Sequence, residues 1–88
     1  MARVEQSFVN RNKVPIYVSV EPWPECFELE PGEELTLIYD ATDDGNTVQI
    51  DFVNTQELVV WPKGQIDDIK YLINGQPGED RSWAFKHR

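Results

Sequence analysis

Apolar and polar residues alternate with a period of two along most of this 88-residue chain. That period belongs to strands with one buried face. Val14-Pro15-Ile16-Tyr17-Val18-Ser19-Val20 is the clearest case. Val14, Ile16, Val18 and Val20 point one way, and Tyr17 and Ser19 the other. β-branched side chains suit such a pleated surface. Pro15 predicts a strand entry or an edge position. Asn10-Arg11-Asn12-Lys13 predicts a turn, and Ser7-Phe8-Val9 a first strand.

The alternation breaks at Glu21-Pro22-Trp23-Pro24-Glu25, where two prolines remove backbone donors. It resumes at Cys26-Phe27-Glu28-Leu29-Glu30, with Phe27 and Leu29 inward. Pro31-Gly32 predicts a type II turn, and Leu35 to Asp40 the next strand. Asp43-Asp44-Gly45-Asn46 predicts a hairpin into Thr47–Val53, with Val48, Ile50 and Phe52 inward. Leu58-Val59-Val60-Trp61 predicts a short apolar strand closed by Pro62-Lys63-Gly64.

From Gln65 to Ile73 the pattern is double. Ile66, Ile69 and Ile73 have helical spacing, whereas Ile69, Tyr71 and Ile73 have strand spacing. Asn74-Gly75 follows, which favours a strand over Asp68–Ile73 ending in a two-residue turn. A loop over Gln76–Asp80 and a closing strand at Trp83-Ala84-Phe85 complete the pattern. Six to eight short strands joined by short turns predict an all-β fold. Its form is a compact antiparallel β-sandwich or a partly open barrel. The length allows one domain, with residues 1–6 and 86–88 frayed.

Composition agrees with a folded domain, at 40% apolar and 27% charged. No apolar run reaches membrane-spanning length. Residues 1–6 lack the apolar stretch of a secretory signal, which predicts a cytoplasmic protein. The single cysteine, Cys26, has no partner for an internal disulfide. Set beside Phe27 and between Glu25 and Glu28, it is expected to be a buried, inert thiol.

Charge changes the picture more. The net charge is −8, but it is concentrated. Between Lys13 and Lys63 there is no Lys or Arg, and that interval holds eleven Asp and Glu residues. Both ends are mildly basic. Nucleic-acid binding needs clustered cations, as does binding to an anionic membrane, so neither is expected.

Catalytic chemistry is scarce. His87 is the only histidine and is the penultimate residue of the sequence. The chain has no Gly-rich phosphate loop and no Cys/His set for zinc, and no cofactor is expected. Catalysis is left with one route, Cys26. Asp40, Asp43, Asp44 and Asn46 gather hard oxygens around one turn, as a calcium loop would. A tight turn asks for the same residue types on conformational grounds alone, and that reading is preferred. Trp23 between two prolines and Trp61 before Pro62 are candidate anchors for a sugar ring or a protein. Each also suits the cap of a small core, and that reading is preferred.

The run Asn10-Arg11, Val20-Glu21-Pro22-Trp23 and Leu29-Glu30-Pro31-Gly32-Glu33-Glu34-Leu35 resembles a group of small uncharacterised bacterial proteins. Trp61-Pro62-Lys63-Gly64 and Asn74-Gly75 extend the likeness over most of the chain. The resemblance implies a bacterial origin and an all-β fold, and it carries no site residues.

Together these features predict a non-enzymatic binding or accessory module. An acidic surface of Glu28, Glu30, Asp40 and Asp51 would meet a basic protein partner, with Trp23 and Trp61 as anchors. The alternatives are a carbohydrate-binding module using Trp23 and Trp61, and a structural domain with a calcium-stabilised loop over Asp40–Asn46.

Overall fold

A computed structural model describes residues 2–21, 25–42 and 48–82. Within them the fold is all-β, with eight strands in two four-stranded sheets and no closed barrel. The strands are β1 Ala2–Val9, β2 Ile16–Val20, β3 Glu25–Leu29, β4 Glu34–Ala41, β5 Val48–Phe52, β6 Glu57–Pro62, β7 Gly64–Ile73 and β8 Gln76–Pro77. A short 3-10 turn, Glu79–Arg81, follows them. The front sheet runs β1-β4-β7-β8 and the back sheet β3-β2-β6-β5. No helix among the described residues is long and apolar enough to cross a membrane.

The core lies between the sheets. The front sheet contributes Leu35, Leu37, Tyr39, Ala41, Tyr71 and Ile73; the back sheet contributes Ile16, Val18, Val20, Phe27, Leu29 and Val60. The alternation in β2, β3 and β4 selects these residues directly. The Phe27 and Tyr71 rings meet across the layers, 5.0 Å apart at the centroids.

Two turns have the predicted chemistry. The Glu33 N–H donates to the Glu30 carbonyl at 3.0 Å, and Gly32 takes the positive φ (87°) that a type II turn needs after Pro31. Asn74 and Gly75 both have positive φ, 53° and 79°, as a type I′ hairpin requires.

Other features differ from the expectation. β1 begins at Ala2, so residues 2–6 are paired strand rather than a frayed end; β4 holds them along their length. Val14 lies outside β2 and is 47% exposed. β4 and β5 lie in different sheets, so they are not paired with each other as the predicted hairpin requires. β2 and β6 pair in parallel, the one parallel pair among the described strands. Ile50 and Phe52 share the parity of the core face but are 38% and 79% exposed, because β5 is the outermost strand of its sheet. Gln76 and Pro77 form a short strand, and residues 79–81 a 3-10 turn, where a loop was expected.

The double pattern at 65–73 has a structural cause. Ile38 pairs with Lys70 but Asp40 pairs with Gln65, so Tyr39 stands against residues 66–69. This wide bulge inserts extra residues into a strand and breaks its period. The closing strand expected at Trp83–Phe85 and the turn at Asp43–Asn46 lie outside the described residues.

Candidate functional site

The outer face of the back sheet gathers most of the candidate residues. Alternation turns Cys26 and Glu28 of β3 outward, with Tyr17 and Ser19 of β2. β6 adds Glu57, Val59 and Trp61, and β5 adds Gln49 and Asp51. Register arranges them in rows across the strands. One row reads Glu28, Tyr17, Glu57; the next reads Cys26, Ser19, Val59, Asp51. None of the four strands contains Lys or Arg.

Tyr17 therefore lies between two acids. Its hydroxyl donates to Glu28 Oε2 at 3.4 Å. The Glu28 carboxylate raises the phenol pKa above its ordinary value, with smaller contributions from desolvation, the hydrogen bond itself, Glu30 and Cys26. A phenolate there would add a third negative charge to the row.

Trp61 and Asp51 form the second focus. Trp61 Nε1–H donates to Asp51 Oδ2 at 3.2 Å, and Gln49 Nε2 reaches both Asp51 oxygens at 3.3 and 3.4 Å. These donors hold the carboxylate on the surface beside an indole that is 38% exposed. The pair offers an anion and an aromatic face together, which suits a cationic side chain.

The remaining predicted residues are dispersed. Glu30 is exposed in the turn beyond β3. Asp40 belongs to the front sheet, where its carboxylate lies 3.9 Å from the Arg3 guanidinium. The expected single face through Glu28, Glu30, Asp40 and Asp51 is therefore divided between the two sheets. Trp23 lies outside the described residues. So do Asp43, Asp44 and Asn46 of the calcium-loop alternative, which leaves Asp40 as its one described acid. Cys26 is half-buried on the outer face, not buried as expected, because its strand position turns it away from Phe27 and the core.

Two groups of functional weight for the fold were missed. Asn10 is 1% exposed, and its amide donates to the Val14 and Leu29 carbonyls at 2.9 and 2.8 Å. The Asn12 N–H donates back to Asn10 Oδ1 at 2.9 Å. Arg81 donates to both Glu33 oxygens, at 2.8 and 3.0 Å, and to the Glu28 carbonyl at 3.3 Å. Glu33 thus serves the fold rather than the acidic face. Its carboxylate raises the Arg81 pKa further above its ordinary value. Both contacts span long sequence separations, which no local pattern signals.

A cleft of about 260 Å³ opens at one end between β1 and β5, with Val9, Ile16, Phe52 and Leu58 as its apolar walls. Arg11, Asn54, Gln56 and Glu57 also line it. The chain matches no protein-family model, no curated protein and no solved structure.

Proposed function

We propose that this chain is a non-enzymatic binding module that presents the outer face of its back sheet to a basic segment of a protein partner. One observation carries this reading. Four adjacent strands hold Glu28, Glu57 and Asp51 on one surface, with Tyr17 and Trp61 between them and no Lys or Arg in any of the four. Like charges on one sheet face oppose pairing of the strands that carry them. A cationic partner relieves that repulsion and is drawn in by it. Trp61 beside Asp51 supplies the anchor, since an indole next to a carboxylate accepts an Arg or Lys head group on two sides.

The proposed face differs from the one expected from the sequence. Glu57 and Tyr17 enter it, and Asp40 leaves it for the front sheet. An array of Lys/Arg-rich peptides tests the reading, probed with the wild-type chain and with a Glu28→Lys, Asp51→Lys, Glu57→Lys variant. The wild type binds a subset of the peptides, more weakly as salt rises, and the variant loses that binding. Equal binding by both chains refutes the reading. Trp61→Ala is expected to weaken the bound subset about tenfold, the loss of one surface cation–π contact of roughly 1 kcal/mol and of the aromatic area.

A further inference from the structure

Four strands form the edges of the two sheets: β1, β8, β3 and β5. An open edge invites a further strand unless the sequence blunts it. β8 is two residues long and ends in Pro77. β3 is met by Ser82, which bridges Phe27 and accepts the Cys26 N–H on its hydroxyl. β1 sets Arg3, Glu5 and Ser7 along its exposed face, so an added strand meets charges of both signs. β5 has none of these devices. It carries one charge, Asp51, has no proline, and pairs in regular register with β6. Among the described residues nothing pairs with its other edge.

The side chains of β5 are as incompletely covered as its backbone. Ile50 and Phe52 stand opposite Val60 and Leu58 on the core side, yet are 38% and 79% exposed. Val53 beyond them is 61% exposed. Phe52 also forms a wall of the open cleft between β1 and β5.

Backbone direction defines what can pair there. The Val53 N–H donates to the Glu57 carbonyl, so the bonded pairs of β5 and β6 share that parity: Asp51 with Val59, and Gln49 with Trp61. The Val60 carbonyl agrees, because it accepts the Glu21 N–H on the opposite side of β6. The amides and carbonyls of Val48, Ile50 and Phe52 therefore point out of the open edge.

We propose that this edge pairs with the same edge of a second copy, giving a two-fold dimer with β5 antiparallel to β5 and one continuous back sheet. Edge-facing residues must meet edge-facing residues, so the two-fold axis lies on a residue of β5; on Val48 or Phe52 it aligns a single pair of strand residues, which leaves the three central positions. On Asp51, it sets two carboxylates opposite each other, and like charges repel. On Gln49, it aligns Val48 with Ile50 and uses less than the whole strand. On Ile50, Val48 meets Phe52 of the second copy, Ile50 meets Ile50, and Gln49 meets Asp51. That register places apolar against apolar on the core side and amide against carboxylate on the outer side. It covers the exposed Ile50 and Phe52, and it leaves the acidic face open, doubled in extent. An isologous interface of this kind closes on itself and stops at two copies.

The charge of −8 on each copy opposes this association at long range, and salt screens that repulsion. The dimer therefore tightens with salt, whereas binding to a basic partner weakens. Sedimentation equilibrium of the full chain from about 1 to about 500 µM tests the proposal. The expected result is a dimer, tighter at about 0.5 M than at about 0.05 M NaCl. Ile50→Lys sets two ammonium groups on the axis and raises Kd more than about a hundredfold. Gln49→Lys places a cation opposite Asp51 of the second copy and tightens the dimer. Two Cα atoms in a bonded antiparallel pair lie about 5.5 Å apart, within disulfide range. Ile50→Cys in a Cys26→Ser background therefore oxidises to a covalent dimer. A chain that stays monomeric at about 500 µM in both salts overturns the proposal. So does a dimer that Ile50→Lys leaves intact, or one that Gln49→Lys loosens.

Discussion

Asn10 does more for this fold than any polar residue the sequence singled out. Its side chain holds the Val14 and Leu29 carbonyls and the Asn12 N–H, and its own N–H and C=O bond to Glu33 and Gly32. One buried residue thus ties the end of β1, the loop before β2 and the turn after β3. The sequence shows Asn10 only as the first residue of a polar turn, because its partners lie four and nineteen residues away. Asn10→Ala takes the partner from the buried bond at the Leu29 carbonyl and from the part-buried bonds at the Val14 carbonyl and the Asn12 N–H. Urea unfolding is expected to show a loss of about 2–4 kcal/mol, the cost of several unsatisfied buried or part-buried groups. A loss below about 0.5 kcal/mol means that water replaces the amide. Phe27 and Leu29 are the contrasting case. Both are fully buried, as their alternation with Glu28 and Glu30 predicts, because burial on one strand face is a local property of the sequence.

At the scale of elements, the turns and the strand interiors were legible and the strand partners were not. Pro31-Gly32 and Asn74-Gly75 encode their own φ angles, so they form the predicted turns in any fold that contains them. Asp43-Asp44-Gly45-Asn46 carries an equally strong hairpin pattern, yet β4 and β5 occupy different sheets. Pairing depends on which apolar faces meet in three dimensions, and the parallel match of β2 with β6 has no local signature at all. The bulge in β7 marks the same limit. The strand itself begins at Gly64, which pairs with Ala41; the Gly64 φ is +146°, and a Cβ there would overlap the Asp40 carbonyl oxygen and lie 2.8 Å from the Ala41 Cα. Gly64→Ala has to move the backbone of β4 and is expected to cost about 3 kcal/mol. Gly32→Ala meets open space and pays only for its positive φ, about 1 kcal/mol. Denaturant midpoints of the two variants check the difference. Equal losses mean that β4 yields opposite Gly64 without cost.

At the scale of the whole molecule, the sequence showed how the charge is distributed and the fold shows where it is spent. The interval without Lys or Arg supplies all four strands of the back sheet, and the front sheet carries Arg3 and Lys70. A solvated face that only keeps the protein soluble has no need to segregate charge by sheet. Glu28 and Glu57 lie on either side of Tyr17, two strand spacings or about 10 Å apart. Their repulsion is about 0.4 kcal/mol in a water-like dielectric, small alone but repeated over four strands that contain no Lys or Arg. Folding therefore works against its own charge, and screening assists it. The melting temperature is expected to rise by a few degrees between about 0.02 and about 0.3 M NaCl. Glu28→Gln with Glu57→Gln keeps the acceptor for the Tyr17 hydroxyl, raises the low-salt melting temperature and flattens the salt response. If that variant melts lower than the wild type, the acids stabilise the sheet and their purpose is structural. If it melts higher, the wild type tolerates a repulsion that its fold does not need, as the proposed binding of a basic partner requires.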